Sequence, residues 1–313
     1  MIPEITLTAL IALTPVERKA LNEFQTRLKK DGYDISQYVN DPRFGIHRFE
    51  KGGKQTNYTK LSESWYLDSN SVEKGADFME EYCYYLGKVQ EEHDVTPKHM
   101  TALFRLETKC GEYPGEFPLI VAFPSVYIDR PDRRDEYIRY TEDFLDVFTD
   151  TTYKIVFPKD IFDVKGSWAG AYGLTQGMPD KIKKYGPRAD GDGDGVCDLM
   201  KAPDAAKFAG LLLEEEFGYK KNAALALKRY NGGHKYYGPA LLMYADSVEK
   251  VEEERSRIPP EKKYYSLDSL IFNIPRLPTD NLQQMKMIAL VPEPIPKQPF
   301  IRRIMPHLKR GRR

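Results

Sequence analysis

Apolar side chains recur at helical spacing near the start of the chain, with polar side chains between them. The spaced positions are Val16, Ala20, Phe24 and Leu28. This spacing places them on one face of a helix. Residues 14–17, Thr-Pro-Val-Glu, have the pattern of a capping box with proline at the first helical position, and Asp31-Gly32 ends the run. The sequence therefore predicts an amphipathic helix between these two signals.

Further helices are predicted along the middle of the chain. Their approximate ranges are 71–92, 96–111, 133–148, 204–217 and 239–255. Residues 112–130 are interrupted by proline and glycine and carry one short apolar run, Leu119–Phe123. Strand signals are few and short, so the pattern favours a mainly helical fold with a small β element.

The amino-acid composition of the chain changes at Ile258. Nine prolines lie between Pro259 and Pro306, and basic residues without any acid follow Glu293. This composition predicts an extended or disordered basic tail. We expect three parts: a helical and irregular N-terminal segment over 1–64, a central domain over 65–256, and the tail over 257–313.

The charge balance argues against one class of function. The 313 residues include 47 Lys plus Arg and 47 Asp plus Glu, so the net charge is zero. A general nucleic-acid binder is usually basic, and we expect no specific nucleic-acid partner. The 21 tyrosines suit contacts with carbohydrate or protein, and ordinary packing explains them equally well.

Two features bear on the compartment without deciding it. The three cysteines, Cys83, Cys110 and Cys197, allow one disulfide bond or three free thiols. The apolar run from Ile5 to Leu13 is shorter than the roughly 20 residues of a membrane span, and it lacks the basic start of a secretory signal. The sequence shows neither kind of segment clearly and leaves the export route open.

One acidic residue stands on an otherwise apolar helix face. Glu107 follows Leu103 and Phe104 by one turn, so its carboxyl shares their surroundings. Burial raises the pKa of a carboxyl group, and a carboxyl that stays protonated near neutral pH can act as a general acid. The alternative interpretation is a structural glutamate paired with Arg105 or Lys109.

Residues 190–204, called the acidic loop below, begin like an EF-hand. Its carboxylates alternate with glycines, and a carbonyl follows at the seventh position; the candidate ligands are Asp190, Asp192, Asp194 and Val196. The twelfth position, where an EF-hand has a bidentate Glu, is Lys201. Asp204 closes the coordination sphere if the loop is longer than usual. The sequence predicts a structural Ca²⁺ site, and a solvated acidic turn is the alternative.

Four motifs in order resemble the lytic murein transglycosylase B family. They are "LETKCG" at 106–111, "SWAGAYGLTQGMP" at 167–179, "DGDGDG" at 190–195 with Asp204, and "RYNGG" at 229–233. The resemblance covers about residues 65–250. It implies an α+β lysozyme-like fold, with a helical catalytic core, a small β element and an EF-hand-like calcium loop.

The resemblance also implies roles for matching residues. Glu107 would be the sole catalytic acid/base, Ser167 and Asn231 would position the sugar, and Gln176 and Tyr230 would line the glycan groove. The calcium ligands would be Asp190, Asp192, Asp194, the Val196 carbonyl and Asp204.

The implied reaction is cleavage of the bond between N-acetylmuramic acid and N-acetylglucosamine in peptidoglycan, leaving a 1,6-anhydromuramoyl end. A hydrolytic muramidase and a non-catalytic, calcium-stabilised wall-binding module remain alternatives. The implied location is the periplasm or cell envelope, where the basic tail either binds anionic wall polymer or lipid or is a solubilising end.

Two departures from the family pattern affect the groove. Cys110 stands where the family usually has Trp, which makes the wall behind Glu107 smaller. Only about a dozen residues separate Gly218 from Tyr230, where the family usually has a long segment. The shortening puts the far rim of the groove and the preference for glycan length in doubt.

Overall fold

The computed structural model describes residues 13–48 and 65–257, and these residues form a mainly helical fold. The α-helices of the described residues are α1 Pro15–Lys30, α2 Ser36–Val39, α3 Ser69–Glu81, α4 Cys83–His93, α5 Pro97–Thr108, α6 Leu119–Asp129, α7 Arg134–Thr149, α8 Pro179–Tyr185, α9 Ala202–Leu211, α10 Ala223–Tyr230 and α11 Tyr237–Arg257. Two short strands, β1 Phe117–Pro118 and β2 Lys165–Gly166, pair antiparallel. The predicted fold class, helical with a small β element, is confirmed.

Helix α1 forms where local signals predict it. The Thr14 backbone N–H donates to the Glu17 carboxylate (2.8 Å), and the Glu17 N–H donates to the Thr14 hydroxyl (3.2 Å). This reciprocal pair satisfies two of the otherwise unpaired donors of the first turn. Phe24 and Leu28 are fully buried on the inner face, while Val16 is 76% exposed. The buried face of α1 therefore begins at Ala20, one turn later than the spacing of the apolar residues predicts.

Two elements differ from the predicted pattern. The single helix predicted over 71–92 is divided at Tyr82. The backbone of this residue leaves the helical conformation (ψ 16°), so α3 ends before it and α4 begins after it. Apolar residues are buried on both sides of this break, so the spacing of the apolar residues does not reveal it.

Helix α6 forms in the stretch interrupted by proline and contains Pro124 in its interior. It is apolar on all sides and buried, which is typical of a core helix and removes the amphipathic signal.

The buried side chains form two hydrophobic clusters. The first joins α1, α6, α7 and α8 and includes Phe24, Phe123 and Phe144; the second joins α3, α4, α5, α10 and α11. Residues 167–179, called the glycine-rich segment below, contribute Tyr172 to the first cluster and Leu174 to the second. This segment therefore lies where the two clusters meet.

The described residues belong to one compact unit that ends at Arg257. Much of the predicted 1–64 segment, at 1–12 and 49–64, and almost all of the predicted basic tail, at 258–313, lie outside the described residues, and the predicted boundaries stay a prediction. Among the described helices, none combines the length and apolar character needed to cross a membrane. Cys83, Cys110 and Cys197 carry free thiols.

Candidate active site

Glu107 lies in the last turn of α5. The helix ends at Thr108, and Lys109, Cys110 and Gly111 follow with φ of 53°, 60° and 95°. Left-handed backbone is uncommon for residues other than glycine, so three such residues in succession turn the chain sharply away from the helix axis. The turn leaves Glu107 at the end of the helix with partial access to solvent.

The carboxyl of Glu107 lies among protein atoms at the partly exposed end of α5, and among the described residues it accepts one hydrogen bond. Burial raises the pKa of Glu107 from its ordinary value of 4.5 to about 7, and a hydrogen bond from the Tyr237 hydroxyl acts in the opposite direction. Burial dominates because a charged carboxylate loses water contacts that a neutral carboxyl needs less. Near neutral pH, the group is thus divided between its protonated and ionised forms.

The alternative interpretation, a glutamate paired with a neighbouring base, is not what the geometry shows. Arg105 donates to the Ser71 hydroxyl (3.0 Å) and to the Lys109 carbonyl (3.1 Å). The Lys109 ammonium lies over the Trp65 ring, 4.7 Å from its centre. Within residues 13–48 and 65–257, Glu107 forms no salt bridge.

Tyr237 contacts Glu107, although no sequence motif predicts this role. It is fully buried at the first position of α11, which packs against α5. The sequence pattern starts this helix near Pro239 and leaves Tyr237 in the preceding loop. The packing of α11 against α5 is what brings its hydroxyl to Glu107.

The glycine-rich segment forms a compact double turn. The Ser167 hydroxyl accepts a hydrogen bond from the Ala171 N–H (3.0 Å), and the Ser167 N–H donates to the Ala171 carbonyl (2.9 Å). Gly170 has φ +88°, and a side chain there would collide with the Phe123 ring. Glycine is required at this position for both reasons. The turn fixes the Ser167 side chain at one end of the segment.

Three hydrogen bonds tie other motifs to this segment. The Thr108 hydroxyl donates to the Leu174 carbonyl (2.8 Å), next to Glu107 in sequence. The Gln176 amide donates to the Pro114 carbonyl (2.9 Å), in the loop that follows α5. The Tyr230 hydroxyl donates to the Thr175 carbonyl (2.7 Å). Motifs far apart in sequence are therefore held against one stretch of backbone.

The structure brings some predicted site residues together and leaves others at the edge. Burial first, and the Glu107 carboxylate second, raise the pKa of Tyr230, so the two groups lie within electrostatic range of each other. Asn231 directly follows Tyr230 and is exposed. Among the described residues, neither Ser167 nor Asn231 hydrogen bonds to Glu107.

Exposed aromatic rings lie near the end of α5, and no sequence motif predicts their place there. Trp65 and Tyr113 are 36% and 64% exposed, and the Lys109 ammonium lies within 4.7 Å of both ring centres. Trp168, beside Ser167, is also exposed. Such rings offer flat apolar faces with polar edges, which suit the faces of sugar rings.

The acidic loop gathers three carboxylates. Oxygens of Asp190, Asp192 and Asp204 lie within 4.8 Å of one another. Asp204 is fully buried and accepts backbone N–H bonds from Gly191 (2.7 Å) and Asp198 (2.7 Å). Converging carboxylates are the donor set that a hard cation such as Ca²⁺ prefers, so these residues fit the predicted ion.

The Asp194 side chain, a further predicted ligand, has a different partner. The Asp194 carboxylate binds the Lys201 ammonium (2.8 Å) and is not part of the group of three. Val196 lies two residues after Asp194, and its N–H donates to the Asp194 carboxylate (3.1 Å), while its carbonyl stays a predicted ligand. The loop thus contains both a candidate cation site and a cationic side chain.

Part of the chain is similar in sequence to a known protein. The chain is 27% identical over 140 residues to membrane-bound lytic murein transglycosylase B of Escherichia coli, a match that covers 45% of this chain and 37% of that protein. The chain thus matches well under half the length of that relative.

Solved structures share the fold. The E. coli lytic transglycosylase Slt35 in complex with bulgecin A aligns with TM-score 0.59 and 17% identity over 77% of this chain and 94% of that one. Slt35 in complex with calcium aligns with TM-score 0.57 and 16% identity over 77% and 94%. The soluble lytic transglycosylase SltB1 of Pseudomonas aeruginosa gives 0.57 and 16% over 74% and 99%.

A family model described as the transglycosylase SLT domain matches residues 18–236. This range contains Glu107, the glycine-rich segment, the acidic loop and Tyr230, and the resemblance inferred from the four motifs is confirmed. Because the match extends over more than half of the chain, the chain belongs to the transglycosylase SLT domain family.

Proposed function

We propose that the protein is a peptidoglycan lytic transglycosylase that cleaves the β-1,4 bond between N-acetylmuramic acid and N-acetylglucosamine and leaves a 1,6-anhydromuramoyl end. The observation that carries this proposal is the position of Glu107, which lies in the last turn of α5 beside the glycine-rich segment and accepts a hydrogen bond from Tyr237, and whose pKa burial raises to about 7. A group that is partly protonated at neutral pH can donate a proton and later accept one.

A single carboxyl distinguishes this site from that of most glycosidases, which use two. Two nearby carboxylates would change each other's pKa, yet among the described residues no second carboxylate shifts the pKa of Glu107, which burial raises and the Tyr237 hydroxyl lowers. The next acid along the chain, Glu112, forms a salt bridge with Lys74 (2.7 Å). The arrangement supports a reaction in which the substrate supplies the second functional group.

The proposed reaction uses the substrate's own groups. Glu107 donates its proton to the glycosidic oxygen, and the C1–O bond breaks. The acetamido group of the muramoyl residue stabilises the positive charge that develops at C1. Ionised Glu107 then accepts the proton of the C6 hydroxyl of the same sugar, whose oxygen attacks C1. The carboxyl is regenerated and no water is consumed.

The surrounding residues are proposed to position the glycan. Ser167 and Asn231, both accessible, would hold the muramoyl residue, and Gln176 and Tyr230 would line the groove beside Glu107. The hydrogen bonds of Gln176 and Tyr230 to backbone carbonyls keep both side chains in fixed orientations. Fixed groups lower the entropic cost of reaching a reactive geometry.

Calcium is proposed to act on the loop and not on the bond that breaks. Asp190, Asp192 and Asp204 would hold the ion, with Asp194 and the Val196 carbonyl as further ligands. An ion that binds the folded state alone stabilises it, so Ca²⁺ would fix the shape of the acidic loop.

We further propose that the protein acts in the periplasm or cell envelope, where peptidoglycan is its partner.

The product decides between this proposal and its alternatives. Purified peptidoglycan is digested with the protein, and the soluble fragments are analysed by mass spectrometry. We expect fragments with anhydromuramoyl ends. Reducing ends, heavier by one water, would identify a hydrolytic muramidase, and binding of peptidoglycan without any fragments would identify a wall-binding module.

Activity should depend on pH through Glu107. Its proton is required in the first step, so we expect kcat/KM to be constant well below pH 7 and to fall about tenfold per unit above it. The measurement is the initial rate of release of soluble fragments between about pH 5 and about pH 9. A rate that rises through this range would contradict the role of Glu107 as an acid.

Tyr237→Phe should alter that profile. The Tyr237 hydroxyl lowers the pKa of Glu107, so its removal should move the alkaline limb to higher pH. The loss of orientation should also reduce kcat by about tenfold. Tyr236→Phe is the matched control, because Tyr236 is exposed and precedes the helix. An unchanged alkaline limb in Tyr237→Phe would show that Tyr237 is structural only.

A further inference from the structure

Lys201 places a positive charge at a position of the acidic loop where an EF-hand has a negatively charged ligand. Counted from Asp190 it is twelfth, where an EF-hand has a glutamate that binds Ca²⁺ with both oxygens. Its ammonium instead donates to the carboxylates of Asp194 (2.8 Å) and Asp192 (3.3 Å). These residues are the fifth and third positions of the loop.

The backbone of the loop is already organised around its carboxylates. Asp190 accepts N–H bonds from Gly193 (2.7 Å) and Gly195 (2.9 Å). Asp204 accepts bonds from Gly191 and Asp198 at the other end. The carboxylates of the loop still lie close together with their negative charges. Lys201 supplies one positive charge next to Asp192 and Asp194.

We propose that Lys201 is a built-in counter-ion that takes the place of Ca²⁺ at Asp192 and Asp194. The loop then keeps its shape without the metal, and Ca²⁺ must displace the ammonium to gain these two ligands. The inference rests on the proposed calcium site. It adds that this chain binds the ion more weakly, and depends on it less, than the same loop without the lysine.

The test compares Ca²⁺ binding to Lys201→Met and to the unmodified full chain by isothermal titration calorimetry. Methionine keeps the aliphatic length and removes the charge. Because a positive charge no longer competes for two carboxylates, we expect Kd to fall about tenfold. In chelator, Lys201→Met should melt at a lower temperature than the unmodified protein, and Ca²⁺ should raise its melting temperature more.

Lys207→Met is the matched control. Its ammonium also lies at the loop, but it donates to the Asp190 carbonyl (3.1 Å) and lies near Glu92 (3.8 Å). It therefore tests for a general effect of charge. We expect its Kd to change by less than about threefold. An equal decrease in Kd for both variants would show general electrostatics and overturn the inference.

Other outcomes separate this inference from the calcium site itself. Equal Kd values for Lys201→Met and the unmodified protein would overturn the inference while the calcium site stands. No binding of Ca²⁺ to any of the proteins would overturn both, without bearing on the anhydromuramoyl product. If Lys201→Met does not fold in chelator but folds with Ca²⁺, the inference is supported. Lys201→Gln repeats the comparison if the methionine variant does not fold at all.

Discussion

Replacing Glu107 with glutamine is expected to reduce cleavage of peptidoglycan by about a thousandfold or more. Glutamine has almost the same shape as glutamate but has no acidic proton to give to the glycosidic oxygen and cannot accept one from the C6 hydroxyl. The measurement is the release of anhydromuramoyl fragments from purified peptidoglycan. Retention of more than about a tenth of the activity would remove Glu107 from the mechanism.

The same variant should be more stable than the unmodified protein at neutral pH. The pKa of Glu107 is raised from 4.5 to about 7, so the folded state holds the proton more tightly than the unfolded state does. Stability present below pH 4.5 is therefore lost as the pH rises toward 7. Glutamine avoids this loss, and we expect the free energy of unfolding at about pH 8 to rise by ~2 kcal/mol.

The combination of lost activity and gained stability separates catalysis from folding. A variant that was inactive because it was misfolded would melt earlier. Glu112→Gln is the control, because Glu112 is a neighbouring acid whose salt bridge to Lys74 is exposed. It should keep nearly full activity and change stability by less than about 1 kcal/mol.

Asp204→Ala should cause the second large effect, a loss of about 3 kcal/mol or more in the free energy of unfolding. The Asp204 side chain is fully buried and accepts N–H bonds from Gly191, Asp198 and, at 3.4 Å, Asp192. Alanine leaves these buried donors without an acceptor. Urea unfolding in chelator measures the effect without any contribution from Ca²⁺.

Asp198→Ala is the matched comparison for Asp204. Asp198 lies in the same loop, is only partly buried and accepts one N–H bond, from Met200 (2.9 Å). We expect a loss of about 1 kcal/mol or less. If the two substitutions cost the same, the backbone of the acidic loop does not depend on Asp204.

Features set by neighbouring residues were predictable from the sequence. The capping box of α1 involves residues three apart, and the burial of Glu107 follows from apolar residues one turn away. The wide acidic loop also follows from its own spacing, and the structure brings Asp190 and Asp204 together. In each case the partners are close in the chain, so the pattern contains the information.

Features set by distant partners were not predictable in this way. Helix α6 is buried on every side, and a proline that breaks an exposed helix is tolerated there because the core holds it. Tyr237 reaches Glu107 across 130 positions. Lys201 was recognised as a departure from the EF-hand pattern, but its partners depend on how the loop folds.

The hydrogen bonds around Glu107 have a consequence for the order in which the candidate site is assembled during synthesis. The glycine-rich segment holds Tyr230, and Tyr237 meets Glu107 only after α11 has begun to pack. A nascent chain that has emerged only as far as the acidic loop contains the acid without its orienting hydroxyl. The proposed pair of Glu107 and Tyr237 is thus completed by α11, which comes last in the chain among the described helices.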